Sequence, residues 1–258
     1  MIGAIAGDII GSVYERHNIK ITDFSLFNHR STFTDDTVLT VAIADAIFTG
    51  SGYAGKLKEY YLLYPERGYG PGFRRWAAAG RTTPYHSNGN GSAMRVSPVG
   101  FAFDTLEDVV REAKRSAEVT HNHPEGIKGA QAVGSAVFLA RKGSSKEEIK
   151  AYVHENYHYN LKESLDSIRT DYRFDMTCEG SVPQAIIAFL ESEGYEDAIR
   201  KAISIGGDSD TIACIAGGIA EAFYGEVPAD IADFALAKLD DDLREVIAVF
   251  EKTYNIHR

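Results

Sequence analysis

Cysteine is nearly absent from this chain. Cys178 and Cys214 are the two cysteines among 258 residues, and their separation matches no usual spacing of cysteine metal ligands. Disulfide frameworks and cysteine-bound zinc sites require more cysteines at shorter intervals, so the sequence excludes both. A chain with so few cysteines is typical of a reducing compartment, and we expect a cytoplasmic protein without disulfide bonds.

The chain also lacks apolar runs of membrane-spanning length. Residues 1–11 are mostly apolar, but they include Asp8 and have no basic leader. Elsewhere, no uncharged stretch is long enough to cross a bilayer. We therefore expect a protein that neither enters a membrane nor is exported.

Positive charge is in deficit. The sequence has 27 lysine and arginine residues against 37 aspartate and glutamate residues, which gives a formal net charge of −10. Proteins that bind the nucleic-acid backbone carry basic patches that displace counterions, so we expect no such binding here. An anionic ligand would have to be held by metal ions, main-chain amides or a few local cations.

Alternating strand patterns are scarce, and helical patterns dominate. With 44% hydrophobic and 25% charged residues and no linker or repeat, the chain is expected to form a single all-α domain over residues 1–258. The apolar spacing predicts helices at residues 2–13, 53–64, 106–119, 126–142, 146–156, 182–192, 195–205, 212–224 and 229–254. Residues 68–100 are predicted to be one long irregular stretch, and loops of that length are usually functional.

Glycine recurs at every fourth position in the first predicted helix. Gly3, Gly7 and Gly11 therefore line one face, and a second backbone can approach that face closely. The same spacing occurs where membrane helices dimerise, but this segment is too short for a membrane and contains Asp8. We predict a buried central helix, with Asp8 as a hydrogen-bonded structural group and not a metal ligand.

Two acidic turns, separated by most of the chain, are the most informative feature of the sequence. The first, residues 34–37, reads TDDT, and the second, residues 207–212, reads GDSDTI. Apolar residues at helical spacing follow each turn, so each is predicted to open a helix. Oxygen ligands of this kind are favoured by hard divalent cations such as Mg²⁺ or Mn²⁺. We therefore predict one two-metal site built from both turns.

The charges of these turns support a shared cation site. If Asp35, Asp36, Asp208 and Asp210 occupy one small volume, protons or cations must relieve their repulsion, and two divalent ions would balance four carboxylates. For either turn alone, helix capping remains an alternative, because aspartate and threonine accept hydrogen bonds from free amides at a helix start. Together the two turns carry more acids and hydroxyls than capping requires.

A glycine-rich segment at residues 87–92 reads SNGNGS. Glycines between small polar residues let main-chain amides approach a ligand, and they can form a concave site for a phosphate or pyrophosphate. A plain turn into the following segment is the alternative that this pattern leaves open.

Six blocks carry a resemblance to a known family. They are residues 3–15 (GAIAGDIIGSVYE), 32–47 (TFTDDTVLTVAIADAI), 89–100 (GNGSAMRVSPVG), 120–129 (THNHPEGIKG), 181–190 (SVPQAIIAFL) and 205–225 (IGGDSDTIACIAGGIAEAFYG). In this order they resemble the ADP-ribosylglycohydrolase family, which includes the dinitrogenase reductase-activating glycohydrolases and the vertebrate ADP-ribosyl-acceptor hydrolases. The resemblance covers essentially the whole chain. It implies a compact orthogonal all-α bundle with a binuclear Mg²⁺ or Mn²⁺ centre at the base of a cleft.

The resemblance further implies an enzyme that releases ADP-ribose from a modified protein side chain or a small ADP-ribose derivative. On the matching positions, one ion would be held by Thr34, Asp35 and Asp36, and the other by Asp208 and Thr211. Asp210 would bridge the two ions. The reaction would hydrolyse an N- or O-glycosidic bond at the anomeric carbon of ribose, with a carboxyl group assisting proton transfer. Glu15, Asp35 and Asp36 are the candidates for that catalytic carboxyl, and the sequence does not choose between Glu15 and a metal-bound aspartate.

The resemblance also assigns the substrate-binding residues. The glycine-rich block would cradle the diphosphate and nearby ribose of ADP-ribose, and a histidine would border the cleft. These residues are Ser87, Gly89, Asn90, Gly91, Ser92 and His121. Many members have a tyrosine just before the Gly-Asn-Gly run, whereas this chain has Asn88. The residue that packs on the adenosine side is therefore left open, and Tyr85 or Phe73 could replace the tyrosine.

Two other functions would use the same residues. A di-metal phosphohydrolase acting on a nucleotide pyrophosphate would release AMP or phosphate instead of ADP-ribose. A non-catalytic ADP-ribose-binding protein on the same scaffold would bind without turnover, although it has no chemical need for a full set of metal ligands. The acceptor linkage and the choice between Mg²⁺ and Mn²⁺ do not follow from the sequence.

Overall fold

The computed structural model describes residues 1–80 and 83–256, and the regular elements in those ranges are α-helices. They are α1 (Ile2–Gly11), α2 (Asp35–Thr49), α3 (Tyr53–Leu63), α4 (Pro71–Ala78), α5 (Gly91–Met94), α6 (Ser97–Ala102), α7 (Leu106–Glu118), α8 (Pro124–Arg141), α9 (Lys146–Tyr157), α10 (Leu165–Asp171), α11 (Cys178–Leu190), α12 (Tyr195–Ser204), α13 (Ser209–Tyr224), α14 (Ala229–Leu236) and α15 (Asp241–Thr253). Within the same ranges, a single bridge between Gly89 and Thr177 is the one β-type pairing. The predicted all-α fold is confirmed.

The centre of the molecule is the contact between α1 and α13. All residues of α1 are buried, and its glycine face lies directly on the backbone of α13. A Cβ atom at Gly11 would come within 2.6 Å of the Asp210 Cα, and one at Gly3 within 2.7 Å of the Gly217 carbonyl oxygen. Only a residue without a side chain permits this approach, so the glycine repeat explains why α1 is the buried central helix that the sequence predicts.

The other long helices surround this pair and bring both acidic turns to one end of α1. Helix α13 also contacts α8, α11 and α12, and α1 also contacts α2 and α14. Near the end of α1, Asp8 is hydrogen-bonded to the start of α2, and Gly11 lies against the start of α13. The packing of these three helices therefore determines where the acidic turns meet.

The prediction of one helix over residues 229–254 is wrong, because the chain forms α14 and α15 there. Asp240 lies between them, and its Oδ1 accepts a hydrogen bond from the Leu243 amide, which caps the start of α15. The three aspartates at residues 240–242 are exposed, as expected for a solvated face. A capping acid inside a continuous apolar pattern therefore starts a new helix.

Four short helices do not follow from the sequence pattern. Helices α4 and α5 lie within residues 68–100, which are predicted to be irregular, α6 begins there and ends at Ala102, and α10 lies between α9 and α11. They contain between four and eight residues, which is too few for an apolar repeat to be recognised. A proline in the first turn of α4 and of α6 helps to start each helix, because its φ angle is already helical.

The two cysteines are buried and unpaired. Cys178 Sγ donates to the Gly89 carbonyl oxygen at 3.1 Å, and Cys214 Sγ donates to the Met94 carbonyl oxygen at 3.4 Å. Both thiols thus support the segment that carries the glycine-rich sequence. In the described part of the chain, every helix is too short or too polar to cross a bilayer.

Candidate active site

The second acidic turn depends on two glycines with a left-handed backbone. Gly206 and Gly207 have φ values of +75° and +73°, which residues with side chains rarely adopt. They direct the chain from α12 into α13, so that Asp208 occupies the N-cap position and Asp210 the first turn. Within the described residues, the Asp208 side chain makes no capping hydrogen bond. Capping therefore does not explain the carboxylate at this position.

The first acidic turn is held by Asp8. Thr34 caps α2, since its hydroxyl oxygen accepts a hydrogen bond from the Asp36 amide. The Asp8 carboxylate accepts hydrogen bonds from the main-chain amides and the hydroxyls of Thr34 and Thr37. Four donors satisfy this fully buried carboxylate, in agreement with its predicted structural role. Because the Thr34 hydroxyl already caps the helix, capping does not explain the Asp35 and Asp36 carboxylates.

The two acidic turns face each other. Thr211 Oγ1 lies 3.3 Å from Asp36 Oδ2, although 175 positions separate these residues. One carboxylate oxygen each from Asp8, Asp36 and Asp210 lie within 4.8 Å of one another, and all three residues are buried. The other Asp36 oxygen, Oδ1, is buried without a hydrogen-bond partner in the described part of the chain. Such an oxygen is costly to bury, and a cation would offset that cost.

Burial and crowding oppose the ionisation of these acids. Burial is the main effect that raises the pKa of Asp35, Asp36 and Asp210 well above the ordinary value, and the charges of neighbouring carboxylates add to it. Burial also raises the pKa of Asp8 and Asp208, where hydrogen bonds partly oppose the effect. Without cations, the cluster therefore binds protons at pH values where exposed aspartates are ionised.

A cleft of about 300 Å³ opens onto this acidic cluster. The predicted site residues that line it are Glu15, Thr34, Asp35, Asp36, Ser87, Gly89, Asn90, Gly91, His121, Asp208, Asp210 and Thr211. The side chain of Ser92 lies elsewhere, because it is fully buried and its hydroxyl donates to the Gly126 carbonyl oxygen at 2.7 Å. The structure thus brings both acidic turns, the glycine-rich loop (residues 87–92) and His121 to one cleft.

The glycine-rich loop is tied to the second acidic turn. Asn90 Nδ2 donates to Asp208 Oδ2 at 2.7 Å and to Ser181 Oγ at 2.9 Å. The main-chain amide of Asn90 donates to the Met176 carbonyl oxygen at 2.7 Å. Asn90 is a predicted substrate-binding residue, and in the structure its side chain orients Asp208. No sequence signal indicates this contact, because the two partners lie in different blocks of the chain.

Glu15 follows α1 and borders the cleft. Burial and the charge of Asp208 raise the pKa of Glu15. Asn18 holds this segment, because its Nδ2 donates to the carbonyl oxygens of Glu15 and Gly207 and its Oδ1 accepts from the Gly207 amide. Asn18 therefore connects the main chain at Glu15 to the turn that carries Asp208, which the sequence reading did not foresee.

Apolar and aromatic residues form another part of the cleft. Phe73 and Tyr85, the substitutes considered for the missing tyrosine, both line it. Phe174 and Met176 line it as well, and their side chains are 48% and 58% exposed. The sequence does not single out these two residues, because isolated apolar residues in an irregular segment are common on protein surfaces.

Comparison with known proteins gives relatives over nearly the whole chain. Residues 1–255 match the family model described as ADP-ribosylglycohydrolase. The chain is 28% identical to ADP-ribosylhydrolase ARH3 from Homo sapiens, with 87% of this chain and 84% of the relative covered. It is 26% identical to the Mus musculus ARH3, with 87% and 82% covered. ADP-ribosylarginine hydrolase Tri1 from Pseudomonas putida (strain GB-1) is 29% identical over 53% of this chain and 38% of its own length.

A solved structure described as an "ADP-ribosylglycohydrolase-related protein complex" has a similar fold. The TM-score is 0.74 at 23% sequence identity, and the match covers 99% of this chain and 96% of the other. The helical architecture is therefore shared along nearly the full length of both chains. Because the family model also extends from the first residue to residue 255, this protein belongs to the ADP-ribosylglycohydrolase family.

Proposed function

We propose that this protein is a divalent-metal-dependent hydrolase that cleaves the glycosidic bond between ADP-ribose and a modified protein side chain or a small ADP-ribose derivative. The convergence of two acidic turns at one cleft, with Asp36 Oδ1 left unpartnered among the described residues, carries this proposal. The relatives named for ADP-ribose hydrolysis support the substrate class.

The donor set fits two Mg²⁺ or Mn²⁺ ions. Carboxylate and hydroxyl oxygens are the ligands that these cations prefer, and several carboxylates in one buried volume need positive charge to stay ionised. Asp8 already has four hydrogen-bond donors, so its role is to hold the first turn. Bound ions would polarise substrate or water oxygens and offset negative charge. The proposed ligands are Thr34, Asp35, Asp36, Asp208, Asp210 and Thr211.

Glu15 is the proposed proton carrier. A carboxylate that holds a cation is a weak base, which disfavours Asp35 and Asp36 for this role. Glu15 borders the cleft, and its raised pKa brings its proton affinity closer to that needed for proton transfer at neutral pH. Its carboxylate would accept a proton from the attacking water as the water oxygen bonds to the anomeric carbon and the bond from that carbon to the acceptor atom breaks. Glu15 would then return this proton to the departing acceptor.

The glycine-rich loop is the proposed site for the diphosphate. Gly89 and Gly91 line the cleft, and the Gly89 amide donates to Ser87 Oγ, which fixes the loop. The Gly91 amide at the start of α5 is the proposed main-chain donor to the diphosphate. Main-chain donors suit an anion in a protein whose net charge is −10, because they need no lysine or arginine. The exposed apolar surfaces of Phe174 and Met176 are available for the adenosine side.

Product analysis with peptides ADP-ribosylated on arginine or serine tests the proposed function. We expect free ADP-ribose as the product, its loss in the presence of a chelator, and its recovery with Mg²⁺ or Mn²⁺. Release of AMP or phosphate would indicate a phosphohydrolase, and ADP-ribose binding without turnover would indicate a binding protein. Either result would refute the proposal.

The role of Glu15 is tested by Glu15→Gln. We expect turnover to fall about a hundredfold while ADP-ribose affinity changes little, since proton transfer contributes about that factor. Asp233→Asn is the control, because Asp233 is exposed on α14. Full release of ADP-ribose by Glu15→Gln from every accepted substrate would exclude the proposed role.

A further inference from the structure

A buried path of hydrogen bonds runs from Arg95 through Thr120 to His121. Arg95 Nη2 lies 3.1 Å from the Ser116 carbonyl oxygen and 2.8 Å from Thr120 Oγ1. Thr120 Oγ1 lies 2.7 Å from His121 Nδ1. Arg95 and Thr120 are fully buried, and His121 is 4% exposed. Water is therefore largely excluded from the path, and the protein groups themselves decide where the protons lie.

The chemistry of the donors determines the direction of each hydrogen bond. A guanidinium group can only donate, so Thr120 Oγ1 accepts from Arg95. Among the described residues, the one other partner of this hydroxyl is His121 Nδ1, so the hydroxyl proton is directed to Nδ1. A ring nitrogen that accepts carries no proton. The neutral His121 ring therefore carries its proton on Nε2.

His121 Nε2 faces the glycine-rich loop at a place where side chains are missing. A Cβ atom at Gly91 would lie 3.2 Å from Nε2, and one at Gly89 would lie 3.6 Å away. Because both positions are glycine, no such carbon covers the nitrogen, and His121 lines the cleft. The Nε2–H group is therefore directed to the part of the cleft where the loop would hold an oxygen-rich ligand.

The surroundings keep this ring neutral. Burial is the main effect that lowers the pKa of His121 well below its ordinary value, and the Arg95 charge adds to it. In the described part of the chain, the titratable groups that face the ring are Arg95 and Tyr85, whose ring centroid is 5.9 Å away. Burial raises the pKa of Tyr85 to about 12, so it is uncharged at neutral pH. Neither neighbour would stabilise an imidazolium.

We propose that Arg95 and Thr120 are positioning residues that fix His121 in the Nε2-protonated neutral form, so that His121 donates a hydrogen bond to a ligand oxygen and is not a general base. The ring form rests on the hydrogen-bonded path and on the burial of the ring beside Arg95. Only the identity of the ligand, ADP-ribose, rests on the proposed function.

The ring nitrogens test the form of His121 directly. Protein labelled with ¹⁵N-histidine is examined by long-range ¹H–¹⁵N spectra between about pH 5 and pH 8, the range in which an ordinary histidine titrates. His121→Gln identifies the signals of His121 by their loss. We expect a bare Nδ1 and a protonated Nε2 throughout. A protonated Nδ1, or an imidazolium that forms in this range, would overturn the proposal.

Substitutions at Thr120 separate positioning from folding. Thr120→Val keeps the shape but removes the hydroxyl, and Thr120→Ser retains it. Ser116→Ala is the matched control, because it removes a fully buried hydroxyl that donates to Ala113 and lies outside the path. We expect Thr120→Val to yield some Nδ1-protonated ring and to weaken the binding of free ADP-ribose about three- to tenfold, the effect of one neutral hydrogen bond.

Thr120→Ser and Ser116→Ala should bind free ADP-ribose within about twofold of the unaltered protein, since neither breaks the path. Unchanged ring nitrogens and affinity in Thr120→Val would contradict the positioning role. If free ADP-ribose does not bind the unaltered protein, the proposed function fails, and the ring nitrogens still decide whether the path fixes His121.

Discussion

Asn90 Nδ2 donates a hydrogen bond of 2.7 Å to Asp208 Oδ2, although 118 positions separate these two residues in the chain. One side chain of the glycine-rich loop therefore orients a carboxylate of the second acidic turn. The loop is the proposed site for the diphosphate, and the turn is part of the proposed ion site. Changes at Asn90 should therefore affect both.

Asn90→Ala should weaken Mn²⁺ binding about tenfold, because a hydrogen bond to a charged group is lost and Asp208 can rotate. Turnover should fall at least as much. Calorimetric titration with Mn²⁺ measures the affinity, and Asn160→Ala is the control, since Asn160 is exposed and bonded to Glu163. An unchanged Mn²⁺ affinity would show that Asn90 does not position Asp208.

Asn18→Ala should act on turnover more than on ion binding. Asn18 holds the main chain at Glu15, so its removal displaces the proposed proton carrier from the cleft, and small displacements reduce rates about ten- to a hundredfold. Steady-state kinetics should show the loss mainly in kcat. Asn156→Ala, on the exposed side of α9, controls for a general effect of asparagine removal. A kcat equal to that of the unaltered protein would show that Asn18 does not position Glu15.

The metal-free protein should lose stability as the pH rises. The pKa values of Asp36 and Asp210 are raised in the folded state, so the native protein binds more protons than the unfolded chain does above the ordinary aspartate pKa. This stabilisation is complete below that ordinary value and is lost as the pH rises through the raised values. In chelator, Tm should fall as the pH rises above the ordinary aspartate pKa, and Mg²⁺ or Mn²⁺ should restore it. A flat profile in chelator would contradict the prediction.

Asp36→Asn should raise the stability of the metal-free protein and lower its activity. Without cations it removes one of the crowded charges, so Tm at about pH 8 should exceed that of the metal-free unaltered protein. Activity should fall at least about a hundredfold, because a proposed cation ligand is lost. Asp233→Asn, which changes an exposed acid, should leave both quantities unchanged. A lower Tm for metal-free Asp36→Asn would contradict the role of charge crowding.

Gly7→Ala should destabilise the fold by about 3 kcal/mol or more, because the added Cβ would overlap the Ala213 carbonyl group on α13. Gly55→Ala is the matched control, since Gly55 lies in α3 with open space around its Cα. There alanine should stabilise the helix by up to about 1 kcal/mol. Urea denaturation of both variants measures the contrast, and equal free energies of unfolding would disprove the close contact.

Local patterns predicted the features that depend on local chemistry. The repeat of Gly3, Gly7 and Gly11 predicted a buried helix against another backbone, and the structure places α13 there. The acids at residues 35–36 and at Asp208 and Asp210 were expected to share one site, and the structure brings them to one cleft. In these cases the residue type indicates what must lie next to it. A row of glycines indicates a closely packed backbone, and crowded carboxylates indicate positive charge.

Contacts of polar side chains with distant parts of the chain could not be predicted. Asn18 reaches Gly207 and Asn90 reaches Asp208 only after the helices have packed, and an asparagine in a loop has many other uses. The division between α14 and α15 was also missed, because Asp240 is compatible with both an exposed helical position and a cap. The hydrogen bonds that orient the site therefore follow from tertiary structure and not from local pattern.

The seating of α1 on α13 has a consequence for how this protein tolerates mutation. The distance between Asp8 and the acids at the start of α13 is set where the glycines of α1 touch main-chain atoms of α13. Every amino acid has these main-chain atoms. Because main-chain contacts set this distance, replacing a surrounding apolar side chain should change it little. The geometry of the cleft should therefore tolerate substitutions in the core, provided that Gly3, Gly7 and Gly11 are retained.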